Sequence, residues 1–500
     1  MPIDLTTAAG VALALAPELT LTVWCLLVML VVAWRHEGEQ DQRLAGWLSL
    51  VGLAATALAV AWLWARGARP AGLAGAMALD GFRYVSSLIF LLGAAMTVLL
   101  SLGYLGRERI RATEYYLLLL LATLGMLFMG GGADLIVIFL GLELMSVPVY
   151  VLAGVNRRSV VGAEAALKYF LLGAFASGFL LYGIALVYGA TGTTNLALIG
   201  AQASGFGLDA NPMALIGLAL LLVGFGFKVA AVPFHMWTPD VYDGAPTPVT
   251  GFMAAAVKAA GFAALVRVLF QAFGAVPSWH EALWWLAAIT MIAGNLMALA
   301  QRQFKRLLAY SSIAHAGYLL AAVTSGNVAG ASAFLFYAIA YTLMTIGAFA
   351  VLAAAGRDGE RDVLVEDFNG LAARRPWVAA GLTVFLLSLL GFPGTAGFIG
   401  KWYILAAAVE AHQYLLAVLL VLASVISAGF YLPPIMAMYM QPEASPEMHR
   451  GTVLQGAQRV VVAVAAAALL LLGFWPNRVL DAARRGGEGL RSAVTYSVAD

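Results

Sequence analysis

The sequence predicts an all-α integral membrane protein of about fourteen transmembrane helices, built as two inverted five-helix repeats with broken helices seven and twelve. Three observations predict it. Of the 500 residues, 62% are hydrophobic and 11% charged, against roughly 45–50% and about 25% in a soluble domain. Apolar runs of about 18 or more residues, each able to cross a hydrocarbon core of about 30 Å, recur from Leu19 to a last run ending near Trp475. Proline interrupts two of those runs close to a lysine, Pro233 five residues after Lys228 and Pro393 eight residues before Lys401.

Taken in order, the runs place helices near 12–33, 44–65, 84–105, 114–131, 133–154, 160–189, 211–238, 247–272, 282–301, 305–324, 328–355, 376–410, 413–440 and 457–475. No soluble domain fits between them. The amino terminus lacks the basic start and small-residue cleavage site of a removable signal peptide, so the first run is expected to stay as a helix. A net charge of +2 argues against nucleic acid. The single cysteine, Cys25, excludes a disulfide scaffold or a cysteine-based metal or iron–sulfur site, which assigns redox cofactors to other chains.

Arginine falls in or at the edge of the odd-numbered connections: Arg35, Arg43, Arg107, Arg109, Arg111, Arg157, Arg158, Arg302, Arg306, Arg357, Arg361, Arg374, Arg375, Arg450 and Arg459. The even-numbered connections hold only Arg66, Arg69 and Arg83. The positive-inside rule therefore predicts cytoplasmic odd loops, with both termini on the opposite side. Arg478, Arg484, Arg485 and Arg491 in the carboxyl-terminal tail run against the rule, although charge there has less influence on orientation.

Against 23 arginines stand five lysines: Lys168, Lys228, Lys258, Lys305 and Lys401. Lys228 and Lys258 sit roughly 26 and 17 Å along their helices at about 1.5 Å per residue, and Glu143 is also near mid-depth. An ionisable group there costs at least about 2.5–3.5 kcal/mol, so each is a functional candidate. Lysine gives up its proton when desolvated, whereas arginine does not. Segregating arginine to loops and lysine to the interior, Arg267 excepted, suits buried cations that must titrate. Two plainer readings compete. Glu143 and one lysine can form a static pair that only fixes packing, and Lys168 can form an i,i+4 pair with Glu164 near its helix start. Lys305, beside Arg302 and Arg306, reads as a cytoplasmic anchor.

A mid-helix proline removes a backbone donor and crowds the carbonyl four residues earlier, so Val229 and Leu389 are expected to lose their helical partners. Freed backbone at membrane depth is tolerated only inside protein or beside water, and two such breaks point to a translocation site built from repeated halves. The spacings agree, since Glu143 precedes Lys228 by almost the same interval as His315 precedes Lys401. The expected organisation is a three-helix segment at 1–113, repeats at 114–272 and 273–440, and a last helix with a tail at 441–500. Five helices per repeat is odd, so the second must be inverted. Lys258 then has no charged counterpart, because Tyr431 stands as far beyond Lys401 as Lys258 stands beyond Lys228. A neutral imidazole at His235 or His315 can pass a proton. His235 reads more readily as structural, whereas His315 occupies the slot that matches Glu143. Two histidines without a nearby cysteine or acid do not make a metal site.

The segments FLGLELMSVPVYVLAG, EAALKYFLLGAFASGFLLYGIALVYGATG, FKVAAVPFHMWTPDVYDGAPTPVTGF, LAYSSIAHAGYLL and FPGTAGFIGKWY resemble the antiporter-like membrane subunits of respiratory NADH-quinone oxidoreductase (complex I), subunit N most closely. The resemblance runs from about residue 114 to 440. It implies a fourteen-helix subunit of the membrane arm in a bacterial inner membrane, packed in lipid among sister antiporter-like subunits and small membrane subunits. It further implies that NADH, FMN, iron–sulfur clusters and quinone are handled by partner chains, with no cofactor here. Glu143, Lys228, Lys258 and Lys401 match the family's glutamate of helix five and lysines of helices seven, eight and twelve, and Lys168 the helix-six lysine typical of subunit N. A glutamate in place of Lys401 would look more like subunit M, and the lateral helix of subunit L has no match. Val257 departs from the proline that many N subunits place before the helix-eight lysine.

The expected mechanism has Glu143 hold Lys228 protonated until a push from a neighbouring subunit weakens the pair. The proton then moves toward Lys258, His315 and Lys401. A buried ammonium stripped of its counter-charge is destabilised by about 6–7 kcal/mol, more than the roughly 3.5 kcal/mol needed to move one charge against about 150 mV. A sodium/proton antiporter of the Mrp type is disfavoured, because interior lysines repel sodium and no carboxylate cluster exists to bind it. A passive membrane scaffold would leave the buried lysines without a purpose.

Overall fold

A computed structural model describes residues 2, 3, 7–34, 39–67, 69, 70, 75–355, 363–442, 454 and 456–495. Arg35, Arg357, Arg361 and Arg450, used above to orient the chain, lie outside the described residues. Twelve helices are long and apolar enough to cross a membrane, and two shorter apolar ones, Tyr115–Gly131 and Pro376–Leu390, bring the set to the fourteen expected. Beyond helices, the described residues show only one two-residue strand pairing, Pro2–Ile3 with Arg69–Pro70, and three isolated bridges.

The helices are numbered here in chain order. After the short α1 (Ala8–Ala14) come α2 (Ala16–Trp34), α3 (Glu39–Ala65), α4 (Gly81–Arg107), α5 (Tyr115–Gly131), α6 (Leu135–Ala153) and α7 (Val160–Thr191). The surface helix α8 (Leu196–Phe206) leads to α9 (Pro212–Val229) and α10 (Thr238–Gly244). Next come α11 (Thr247–Ala272), α12 (Ser278–Leu299), α13 (Phe304–Thr324) and α14 (Val328–Ala355). The broken pair α15 (Pro376–Leu390) and α16 (Ala396–Glu410) precedes α17 (Tyr414–Met440), α18 (Gly456–Phe474) and α19 (Asn477–Thr495).

Both expected breaks are present. The seventh span does not continue to residue 238 as expected; it stops at Val229, where Ala230 turns left-handed at φ 60°. The carbonyls released there are taken locally, Gly226 accepting from the Ala231 N–H at 2.8 Å and Phe227 from the Trp237 indole at 3.1 Å. The twelfth span stops at Leu390, and Gly391 and Gly394 supply φ of 88° and 86° that a side-chain-bearing residue rarely adopts.

The two halves share local geometry. Asp134 caps α6 and bridges Asn195; Gln303 precedes α13 and bridges Leu364. The two bridges close equal lengths of chain, so the step from Asp134 to Gln303 is the same as the step from Asn195 to Leu364. The helix pairs α5/α6 and α12/α13 cross backbone to backbone through glycines. A Cβ at Gly141 would stand 2.8 Å from the Met129 nitrogen, and one at Gly294 would stand 2.5 Å from the Ala314 nitrogen. Gly125, paired with Gly141, is separated from Gly294 by that same step. Such recurrence is what an inverted repeat of one five-helix unit produces.

Helix α11 is buried over its whole apolar window, and α13 and α14 nearly so, whereas only 28% of the corresponding window of α7 is buried. Residues on α11 and α13 are thus enclosed by protein on all sides, while α7 presents a broad apolar face outward. One expectation fails here. The carboxyl-terminal stretch read as a tail forms α19, whose Gly486 and Gly489 lie against Gly81 at the start of α4 and whose Gly487 lies against Ser332 of α14. The GGEG stretch reads locally as a helix breaker. It is helical because glycine alone allows two backbones to approach so closely.

Replacing Gly317 with Val, where a Cβ would already stand 2.5 Å from the Met291 nitrogen, should destabilise the α12/α13 crossing by about 1–3 kcal/mol. Gly178→Ala, with open space around it, should be neutral. Yield of folded protein from membranes and its melting temperature in detergent check the contrast.

Candidate functional site

Lys228 occupies the last turn of α9, one residue before the break, and is 3% exposed. Its Nζ donates to Ser146 Oγ at 2.8 Å and lies 3.5 Å from the Tyr169 hydroxyl. The ammonium also sits 5.7 and 5.4 Å from the ring centres of Tyr150 and Tyr169, close enough for the ring faces to attract it. The expected direct pair with Glu143 is absent: Glu143 is half-buried and accepts a hydrogen bond from Ser177 of α7. Glu143 and Ser146 share a face of α6 at i,i+3. The lysine takes the nearer hydroxyl, and the carboxylate turns to the outward side. A narrow cavity of about 10 Å³, room for about one water, is lined by Lys228 and by Ser177, the residue that donates to Glu143, together with Leu142, Tyr150, Gly173 and Phe227.

Lys258 is 1% exposed and follows directly on a π-helical turn, Met253–Val257. With Val257 in place of proline, the wide turn shapes the helix before the lysine. Its Nζ donates to the Ser312 carbonyl at 2.8 Å and to the Ser312 hydroxyl. One turn along α13, His315 is held between two tyrosines, Nδ1 2.6 Å from the Tyr337 hydroxyl and Nε2 3.0 Å from that of Tyr431. A neutral imidazole has one N–H and one bare nitrogen, which suits two hydroxyls that can each donate or accept. Tyr431, expected as the uncharged counterpart of Lys258, also bonds Ser311. Lys401 donates to the Leu390 carbonyl at 2.9 Å, so the break supplies its acceptor, one residue beyond the Leu389 carbonyl expected to be freed. Its Nζ lies 4.6 Å from the ring centre of Tyr318. Ser146 stands three residues after Glu143 and Tyr318 three after His315, so equivalent positions touch the lysine in both halves.

The remaining candidates lie apart. Lys168 has 43% of its side chain exposed and pairs with Glu164 at 2.8 Å and with Asp240 at 2.7 Å. Asp240 also accepts from Arg306 at 3.1 Å, which ties α7, α10 and α13 together at one surface. The Nδ1 of His235, in the break beside Pro233, is buried without a hydrogen-bond partner, and none of the bonds above reaches it. Lys305, read as a cytoplasmic anchor, is 6% exposed and donates to the Ala245 carbonyl at 2.8 Å, because α10 ends over it. Arg267 is 0% exposed and forked onto Asp80 at 2.7 and 3.0 Å, while Arg83 pairs with Glu18 at 2.8 Å. Each of these arginines has a carboxylate as its counter-charge. Among the described residues, no group of three or more His, Cys, Asp or Glu is placed to hold a metal ion.

Reading for charge missed Ser146, Tyr169, Ser312 and Tyr337. Helical spacing carried a signal for two of them, since Ser146 and Ser312 lie three residues from Glu143 and His315.

Residues 132–427 match the family of NADH:quinone oxidoreductase and Mrp antiporter transmembrane subunits. A subunit N of NADH-quinone oxidoreductase from Gemmatimonas aurantiaca is 47% identical over 500 residues, covering 96% of this chain and 94% of that protein. One from Trichlorobacter lovleyi is 46% identical over 470 residues, covering 94% and 95%. The chain belongs to the subunit N branch of this family. A chain of respiratory complex I from Thermus thermophilus superposes on the subunit N fold described here with a TM-score of 0.79 at 42% identity, covering 94% of this chain and all of that one. The subunit N relatives are named for a quinone oxidoreductase, which separates this chain from the Mrp antiporters within the shared family.

Ser146→Ala removes the acceptor on which the Lys228 ammonium rests. It should cost about 1–3 kcal/mol and slow proton translocation without preventing assembly. Thermal stability of the purified complex, together with pumping in membrane vesicles, measures both effects.

Proposed function

We infer that this chain is the proton-translocating membrane subunit N of a bacterial NADH:quinone oxidoreductase, a translocase in which electron transfer from NADH to quinone in other subunits drives protons through buried side chains here. One observation carries the reading: the buried arginines Arg83 and Arg267 are locked onto carboxylates, whereas Lys228, Lys258 and Lys401 rest on hydroxyls and carbonyls. A charge meant to be permanent is paired, because an uncompensated buried ion costs several kcal/mol. An amine held by neutral acceptors remains free to lose its proton.

In this scheme the repeats, 114–272 and 273–440, each supply half of the path. Glu143 acts on Lys228 through the Ser146–Ser177 neighbourhood, and movement of a neighbouring subunit against the half-exposed Glu143 changes the field at Lys228. The proton passes to Lys258, then through Ser312, His315 and its tyrosines to Lys401. Lys168 belongs to the surface network with Asp240, and His235 is a side branch at the break. The partners are sister antiporter-like subunits, small membrane subunits and lipid, while NADH, FMN, iron–sulfur clusters and quinone are bound by other chains. The location is the cell inner membrane, with odd-numbered loops cytoplasmic and both termini periplasmic.

Lys228→Ala and Glu143→Ala should each cut NADH-driven acidification of inverted membrane vesicles by more than half. Lys228→Arg should fail as well, since a guanidinium keeps its proton. Pumping at the unmodified rate in all three variants refutes the scheme.

A further inference from the structure

Between the Lys228 pocket and the Lys258 pocket the charged residues leave a gap, and the structure fills it with hydroxyls. Lys228 reaches the Tyr169 hydroxyl at 3.5 Å. The Tyr169 ring stacks on Trp237 at 4.4 Å and 8°, and Trp237 meets Tyr242 edge-on at 6.0 Å and 77°. The indole N–H is itself tied to the Phe227 carbonyl at 3.1 Å, so the helix break fixes the three rings relative to one another. Trp237 thus lies between the rings of Tyr169 and Tyr242, and the Tyr242 hydroxyl lies toward Ser312. Ser312 is the residue on which Lys258 rests.

Tyr242 is fully buried, yet its hydroxyl makes no hydrogen bond of normal geometry. Thr238, one turn earlier on α10, and Thr345, which faces Tyr341, are buried and unsatisfied in the same way. Elsewhere in this protein buried helical threonines spend their hydroxyl on the carbonyl four residues back, as Thr56, Thr97, Thr123, Thr324 and Thr342 do. Thr345 has that same option and does not take it. Burying a hydroxyl without a strong partner costs about 1–3 kcal/mol, and packing alone does not explain three of them on α10 and α14. A hydroxyl locked in a strong bond cannot turn, whereas one held only loosely, as Tyr242 is by Ser312, can turn and donate to either side.

We propose that Tyr242 is a positioning and relay residue whose rotating hydroxyl carries the proton between Lys228 and Lys258, by way of Tyr169 and Ser312. This deepens the proton-translocation reading and rests on it. Each hydroxyl oxygen accepts a proton from the side of Lys228 and releases its own toward Lys258. The ammonium of Lys228 becomes an amine, the amine of Lys258 becomes an ammonium, and the hydroxyls are restored when they turn back. The relay begins and ends in the first repeat, at Lys228 and Lys258, and borrows Ser312 from α13 of the second.

The test uses the whole complex in inverted membrane vesicles carrying Tyr242→Phe, which keeps the ring and its contact with Trp237 and removes only the hydroxyl. NADH:ferricyanide activity checks assembly, and NADH-driven acidification is measured in H₂O and D₂O. Pumping is expected to fall at least about tenfold, less than the roughly 10²-fold or more that loss of a directly positioned proton-transfer group costs. The solvent isotope effect on what remains should differ from that of the unmodified complex, a change that a packing defect would not produce. Tyr169→Phe, which removes the first hydroxyl of the relay and keeps the ring on Trp237, should also slow pumping and serves as the deciding variant if Tyr242→Phe does not assemble. Lys258→Met is measured in parallel. If it pumps normally, the underlying reading fails. If it is inactive while the assembled Tyr242→Phe complex, or Tyr169→Phe in its stead, pumps at the unmodified rate with an unmodified isotope effect, the relay is overturned.

Discussion

Everything in this molecule turns on how a membrane interior treats a buried ammonium. A carboxylate neighbour fixes its charge; a neutral oxygen stabilises it without fixing it. Both solutions are present, Arg267 on Asp80 and Arg83 on Glu18 for the first, and Lys228, Lys258 and Lys401 for the second. The difference in residue type matters as much as the difference in partner, because arginine would stay charged in either setting.

The broken helices follow from the same requirement. A neutral acceptor at mid-depth must come from a side-chain hydroxyl or from a backbone carbonyl with no helical partner. Lys401 uses the carbonyl of Leu390 at the end of α15, and the left-handed Gly391 beside it leaves room for the lysine stem. Lys228 uses Ser146, and the carbonyls at its own break are kept for Trp237 and Ala231. The two halves therefore share a scaffold but not a chemistry. Glutamate and serine in one correspond to histidine and tyrosine in the other, and the Lys258 slot is answered by Tyr431.

Much of the fold was legible in the amino-acid order. Hydropathy marked the fourteen spans, proline marked both breaks, and the recurring spacing of acid or histidine to lysine marked the repeat that the bridges at Asp134 and Gln303 echo. The candidate lysines were legible because a charge in an apolar run is rare. Their partners were less so: serine and tyrosine are common in membrane helices and acquire meaning only from what faces them. The helix at Asn477–Thr495 was illegible for a different reason, since its glycines favour the coil until Gly81 and Ser332 are packed against them.

The sequence by itself determined which groups can carry charge and roughly how deep they lie, because burial cost and helical rise act along the chain. Tertiary structure alone decided what those groups touch. It turned Glu143 away from Lys228 and toward Ser177, drew Lys305 under Ala245, set His315 between Tyr337 and Tyr431, and brought the Tyr242 hydroxyl beside Ser312. Contacts between helices depend on crossing angles and close glycine approaches, which sum over many weak interactions across the whole bundle. No local stretch of residues encodes them.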